Sequence, residues 1–301
     1  MKLDFSKLIG IRYRQRVTSV EIALTDLPAA FDGLKVLQLT DLHRGTWVSE
    51  RYLALAAGRG QLFAPDLIVL TGDYVSNSRY SESAAASLAK LSAPLGVYAV
   101  LGNHDHWAKD TPRIVDALEH AGITMLTNAA VPLLRDGERL WLAGIDDIWA
   151  GEPDLDAALA AVPEGEPAIL LCHEPDYAPE AAGRGVILQV SGHSHGGQVR
   201  LPGLKPVLPR YGRTYPIGLM QVEGTDSHVY VSGGLGVVFP PIRFRVPPEV
   251  SVLTLRRREI LAAEVAEQQR LEAAASAADP AVRDALEQVE GVEREDLSLI
   301  H

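Results

Sequence analysis

The 301-residue sequence holds a single cysteine, Cys172, so no intrachain disulfide can form. That leaves the redox compartment open. Cys172 follows the apolar run Ala168-Ile169-Leu170-Leu171 and reads as a small buried strand residue. No stretch reaches the roughly 18 apolar residues of a membrane span. Met1 to Val20 carries a basic cluster, Arg12, Arg14 and Arg16, without an apolar run behind it. It therefore does not read as a signal peptide, and the expected location is cytoplasmic or peripheral to a membrane. Dense Lys/Arg runs are also missing. With 39 acidic against 28 basic residues, the net charge is −11. A nucleic-acid partner is therefore not expected.

Short apolar runs, by contrast, are plentiful. Leu34 to Leu39, Asp66 to Leu70, Val97 to Leu101, Leu140 to Ile145, Ala168 to Cys172 and Val186 to Val190 read as strands. Val17 to Leu24 alternates weakly and reads as an edge strand. Helices are expected from Ser49 to Ala64 and from Ser81 to Leu91, each capped by its serine, and at Pro112 to His120 and Ala157 to Ala161. Residues 196–249 are rich in Gly and Pro, with short strands at Gly218 to Val222 and Val229 to Ser232. Val250 to Leu255 completes a sheet. The alternation makes residues 17–256 one α/β domain. Residues 257–301 are Ala/Glu-rich and read as a helical or partly disordered C-terminal extension, interrupted at Pro280.

Most strands end in a polar turn, where loops beyond the carboxyl ends of strands carry chemistry in α/β proteins. The turns are Asp41-Leu42-His43, Gly72-Asp73, Gly102-Asn103-His104-Asp105, His173 and Gly192-His193-Ser194-His195. They supply the carboxylates Asp41 and Asp73, the amide Asn103 and the imidazoles His43, His173, His193 and His195. Mixed oxygen and imidazole donors suit Mn, Fe, Zn or Co better than Ca or Mg. The set exceeds what one ion needs and fits two divalent ions sharing a carboxylate. In an extended Asp41-Leu42-His43, alternate side chains point the same way and Leu42 faces the core. Gly72, Gly102 and Gly192 precede ligands where a tight turn needs a missing Cβ.

This set, in this order, resembles the calcineurin-like metallophosphoesterase superfamily over residues 17–256. Gly192-His193-Ser194-His195-Gly196-Gly197-Gln198, Gly233-Gly234-Leu235-Gly236 and Pro247-Pro248-Glu249 resemble one bacterial branch. That branch includes membrane-associated phosphodiesterases and UDP-2,3-diacylglucosamine pyrophosphatase-like enzymes. The resemblance implies a four-layer α/β/β/α sandwich with two mixed β-sheets. It implies that Asp41, His43, Asp73 and His195 hold one metal. Asp73, Asn103, His173 and His193 would hold the other, with Asp73 bridging. The implied activity is hydrolysis of a phosphodiester or pyrophosphate, possibly lipid-linked, by a metal-activated hydroxide. His104 would face the substrate as the catalytic acid.

Protein phosphatases of the superfamily continue Gly-Asp with Asp-Arg-Gly. Here Gly72-Asp73 runs into Tyr74-Val75-Ser76, which argues against that activity. Arg44 and His106 are candidates for substrate contact. Trp107 is either pocket wall or packing. Asp105 either orients His104 or a ligand, or caps the next turn, and Asp146-Asp147 reads as a loop cap. Val237 to Ile242 reads as a core-packing loop, with docking on an anionic membrane or acyl-chain binding as the alternative, helped by Arg243 and Arg245. Two other functions stay open. One is a catalytically weak metal-binding scaffold, which would have no use for His104. The other is a nuclease, which the net charge disfavours.

Overall fold

In the computed structural model, which describes residues 15–277, the strands assemble into two six-stranded sheets. The first has the order β1 (Arg16–Leu24), β12 (Glu249–Arg257), β2 (Leu34–Leu39), β3 (Leu67–Thr71), β4 (Val97–Val100) and β5 (Thr124–Met125). The second has the order β10 (Gly218–Gln221), β11 (His228–Val231), β9 (Val186–Ser191), β8 (Ala168–Leu171), β7 (Glu138–Gly144) and β6 (Ala129–Arg135). Both sheets are mixed. β2 to β5 run parallel, and β12 pairs antiparallel with β2 and parallel with β1. β7, β8, β9 and β11 run parallel, with β6 and β10 antiparallel at the edges.

Strand periodicity sorts the side chains into layers. Val36, Leu67 and Val69 pack with Leu142, Ile169 and Leu188 in one core between the sheets. Their neighbours Leu37, Ile68 and Leu70 face outward onto helices α1 (Glu50–Gln61), α2 (Ser81–Leu88) and α4 (Thr111–His120). On the far side Ala143, Leu170 and Cys172 pack against α5 (Leu155–Leu159) and α6 (Ala178–Ala182). A fully buried aliphatic side chain contributes about 1.5–3 kcal/mol. Both faces of the central strands are covered, which is why they read as unbroken apolar runs. The result is the expected α/β/β/α sandwich.

Several details depart from the sequence reading. A 3-10 turn at Ser78–Tyr80 precedes α2, so Ser81 opens the helix and its hydroxyl donates to Ser78 O at 2.6 Å. It is not the cap, and α2 stops at Leu88. Ser49 does cap α1, accepting from Tyr52 N at 3.2 Å. β5 and β6 were not expected. β5 has two residues, and β6 contains Pro132 and buries one of its seven. Chain contacts separate a second unit beginning at Arg258, of which helix α7 (Arg258–Ala277) is described. Arg12, Arg14 and the chain past Ala277, including Pro280, lie outside the described residues. No helix among those residues is long and apolar enough to cross a membrane.

Candidate metal centre

The carboxyl ends of β2, β3, β8 and β9, and a short helix α3 (Asn103–Trp107) after β4, bring the expected ligands together. The sheets are tied at this end. Gln38 Nε2 donates to Ser191 O and to Thr71 Oγ1, each at 2.8 Å. Asp41, His43, Asp73, Asn103, His173, His193 and His195 are all buried.

Asp41 and His43 are not extended. Their φ angles are 51° and 44°, and Asp73, His193 and His195 also lie in the left-handed region at 58°, 68° and 49°. Each such non-glycine residue costs on the order of 1 kcal/mol. Backbone hydrogen bonds hold the strain: Asp41 N to Gly72 O at 3.0 Å, His43 N to Asp73 O at 2.9 Å and Gly236 N to Asp41 O at 2.6 Å. Leu42 is fully buried, as its spacing suggested, but the two ligands converge through tight turns rather than strand alternation. The glycines are needed for close approach. A Cβ on Gly102 would lie 2.5 Å from Asp73 Oδ1, and one on Gly192 would strike Thr40 and Asp41.

Donor atoms of Asp41, His43 and His195 lie within 4.8 Å of one another. So do those of Asp41, Asp73 and His173, and those of His43, Asp73 and His104. Asp73 Oδ2 stands 3.4 Å from His43 Nε2 and 3.2 Å from His173 Nε2. His173 Nδ1 donates to Thr71 O at 2.6 Å, which leaves its buried Nε2 turned towards Asp73 Oδ2. A backbone carbonyl that fixes the ring in this way is the usual support of a metal-binding imidazole.

His193 fits a cation equally well. Burial, then the charge of His173, lowers its pKa to about 4, so the ring is neutral with one N–H. Nε2 uses that proton on Arg210 O at 2.6 Å. Nδ1 is left facing Asn103 Oδ1 at 3.0 Å, lone pair to lone pair, and a cation between them resolves the conflict. His195 is less ready. Arg243 Nη2 donates to its Nδ1 at 3.1 Å, which puts the ring proton on Nε2, towards Asp41 Oδ1 at 3.2 Å. A cation taken at Nε2 requires that contact to rearrange.

The charge balance also favours cations. Burial alone would raise the Asp41 and Asp73 carboxyl pKa values. The imidazoles more than offset it, mainly His195 for Asp41 and His173 for Asp73, so both lie below the ordinary range. Burial opposes charge on His173 too, yet Asp73 raises its pKa well above the usual value. The carboxylates draw positive charge into the cluster, and a metal ion would displace that proton.

The sequence profile described as calcineurin-like phosphoesterase matches residues 34–197. The chain belongs to this family. It is 37% identical over 235 residues to metallophosphoesterase YkuE of Bacillus subtilis, covering 76% of this chain and 82% of that protein. It is 32% identical over 226 residues to phosphodiesterase YaeI of Escherichia coli, covering 73% of this chain and 82% of that one. A Danio rerio transmembrane protein with a metallophosphoesterase domain is 30% identical over 264 residues, 83% of this chain but 59% of that protein. By family, the chain is a metal-dependent phosphoester hydrolase.

The residues around the expected ligands have defined partners. Asp105 accepts backbone N–H groups of Gly102 at 3.0 Å, Asp73 at 2.8 Å, Tyr74 at 2.8 Å and Val75 at 3.3 Å. It therefore caps α3 and holds the Asp73 loop. Burial and the Asp73 charge push its carboxyl up to about 7, against those donors. Asp105→Ala would leave several buried N–H groups unpaired, and we expect a loss of about 3 kcal/mol or more in denaturant unfolding. Arg243 is buried, and its guanidinium donates to Gly233 O and Gly236 O, so it is not a cation beside an exposed tip. Cys172 is buried, and burial pushes its thiol up.

Arg44 Nη1 donates to Gly45 O at 2.7 Å and Val48 O at 2.9 Å, tying down its own loop. His104 packs edge-on against His43, ring centroids 4.8 Å apart, and 5.0 Å from Trp107. Trp107 meets Trp149 at 4.9 Å, and Trp149 meets His193 at 5.8 Å, forming an aromatic wall at the mouth. His106 Nε2 lies 2.8 Å from Asp146 Oδ1, and that hydrogen bond raises the His106 pKa. Asp146 and Asp147 cap the loop that carries Trp149, as expected, accepting from Glu152 N and from Trp149 N. A raised folded pKa means the His106 contribution is complete below its ordinary value of 6.5 and fades as pH rises through the folded value. Between about pH 6 and about pH 9, Tm of the wild type should therefore fall further than that of His106→Asn.

Proposed function

We propose that the protein hydrolyses a phosphodiester or pyrophosphate bond using two divalent cations, Mn, Fe, Zn or Co, in the domain spanning residues 17–256. One cation would be held by Asp41, His43, Asp73 and His195, the other by Asp73, Asn103, His173 and His193. The observation that carries this reading is Asp73, whose carboxylate stands within 3.4 Å of imidazoles from both sets. When bound, such cations lower the pKa of water and neutralise charge on a phosphoryl group.

The residues of the chain divide the remaining work. Asp73 Oδ1 accepts from His104 N at 2.8 Å, which fixes the His104 backbone beside the cluster. From there the His104 ring donates a proton to the leaving oxygen. Trp107 and Trp149 shield the mouth from water.

The substrate we infer is lipid-linked. A cleft of about 670 Å³ runs from Asn103, His104 and His193 to Leu204, Val207 and Phe239. Val207 and Phe239 are 88% and 87% exposed. In a chain of net charge −11, residues 198–222 contain Arg200, Lys205, Arg210 and Arg213 but no Asp or Glu. Exposed apolar side chains, one of them on a segment rich in cations, suit peripheral contact with an anionic membrane. Metal-loaded protein tested on phosphomonoesters, bis-p-nitrophenyl phosphate, nucleotides and lipid-linked pyrophosphates should turn over diesters or pyrophosphates, with the lipid-linked compounds best. Failure on the whole panel would favour a metal-binding scaffold. Salt-sensitive cleavage of DNA or RNA would favour a nuclease.

A further inference from the structure

A second cavity, of about 300 Å³, meets the apolar cleft at His104, Val238 and Phe239. Its character is different. Besides His43 it is lined by the apolar Trp47 and Val237 and by the polar Thr46, Ser76, Asn77, Arg79 and Tyr80, and no carboxylate lines it. Its guanidinium is exposed and rests on Tyr80. Arg79 Nη2 donates to the Tyr80 hydroxyl at 3.1 Å and Arg79 Cζ lies 4.8 Å from the Tyr80 ring centroid. Asn77 Oδ1 accepts from Arg79 N at 3.2 Å and sets the turn that presents it. Arg44 Cζ is 4.7 Å from the same ring, so two positive charges flank one tyrosine.

A phosphoester reacting beside His104 has two arms, and of the two cavities only the smaller adds a guanidinium to its apolar wall. One is apolar. The other carries a guanidinium with hydroxyl and amide neighbours, the usual recognition of phosphate or carboxylate. We propose that the pocket at Arg79 binds a second anionic group of the substrate, carried on the arm opposite the apolar one. The inference rests on the hydrolase reading. It narrows the substrate to a phosphoester with one hydrocarbon arm and one anionic arm.

The test uses two matched probes, the p-nitrophenyl ester of thymidine 5′-phosphate with and without a 3′-phosphate. Metal-loaded wild type should prefer the 3′-phosphorylated probe by about tenfold or more in kcat/KM, mainly through KM. Arg79→Ala should bring the ratio of the two probes close to one, and Arg79→Lys should restore part of it. Equal use of both probes by the wild type, or a ratio unchanged in Arg79→Ala, overturns the inference while the hydrolase reading stands. Bis-p-nitrophenyl phosphate is the control. If the metal-loaded wild type does not turn it over, the hydrolase reading falls and the inference falls with it.

Discussion

Asp73→Asn should lower phosphodiester turnover by about a thousandfold or more. The carboxylate lies between imidazoles of both donor sets, 3.4 Å from His43 and 3.2 Å from His173. Asparagine keeps the shape and an oxygen for His104 N, now 2.8 Å from Asp73 Oδ1, so the loop should stay folded. It loses a full negative charge where two cations would otherwise repel. Metal content should fall from two ions per chain towards one, with denaturant stability changed far less. Turnover of bis-p-nitrophenyl phosphate within tenfold of wild type would show that Asp73 does not join two ions.

His104→Ala should cost roughly a hundredfold or more in kcat for an alkyl leaving group. The reason is geometric. His104 follows Asn103 on α3 and is only partly buried, at the edge of both cavities, whereas the metal-ligand candidates are enclosed. A proton donor matters most when the leaving oxygen is a strong base. The loss should therefore shrink for a p-nitrophenolate leaving group, which departs without help. Metal content is the second readout, because the His104 ring also lies near His43 and Asp73. Loss of a metal ion in His104→Ala would make His104 a ligand instead of an acid.

How far such roles can be read from sequence depends on the range of the interaction. Each expected ligand follows a short apolar run, because the strand that buries its side chains on both faces also delivers its carboxyl end to the site. That Asp41, Asp73, Asn103, His173 and His193 gather at one end of the sheets was legible for that reason, whereas the four layers came from the family resemblance. The local geometry was not. Alternation pointed to Asp41 and His43, yet both adopt left-handed conformations that only their backbone partners at Gly72, Asp73 and Gly236 make tenable. Roles that depend on distant chain were equally hidden. Arg243 reaches His195 across 48 positions, and His173 finds Thr71 O across 102. Nothing near either residue in sequence announces the pairing. Asp105 was visible as part of Gly102-Asn103-His104-Asp105. Its four backbone donors come from two turns that meet only when β3 and β4 lie side by side. Arg44 and His106 stand beside ligand turns, yet their side chains are engaged with Gly45, Val48 and Asp146.

The most direct test is the low-temperature EPR spectrum of protein reconstituted with Mn(II), read together with metal content. Asp73 joining two sites predicts two Mn(II) per chain and the multiline spectrum of a spin-coupled pair, replaced in Asp73→Asn by the six-line signal of isolated Mn(II). A single bound ion, or two ions without coupling in the wild type, would contradict the shared carboxylate on which the account rests.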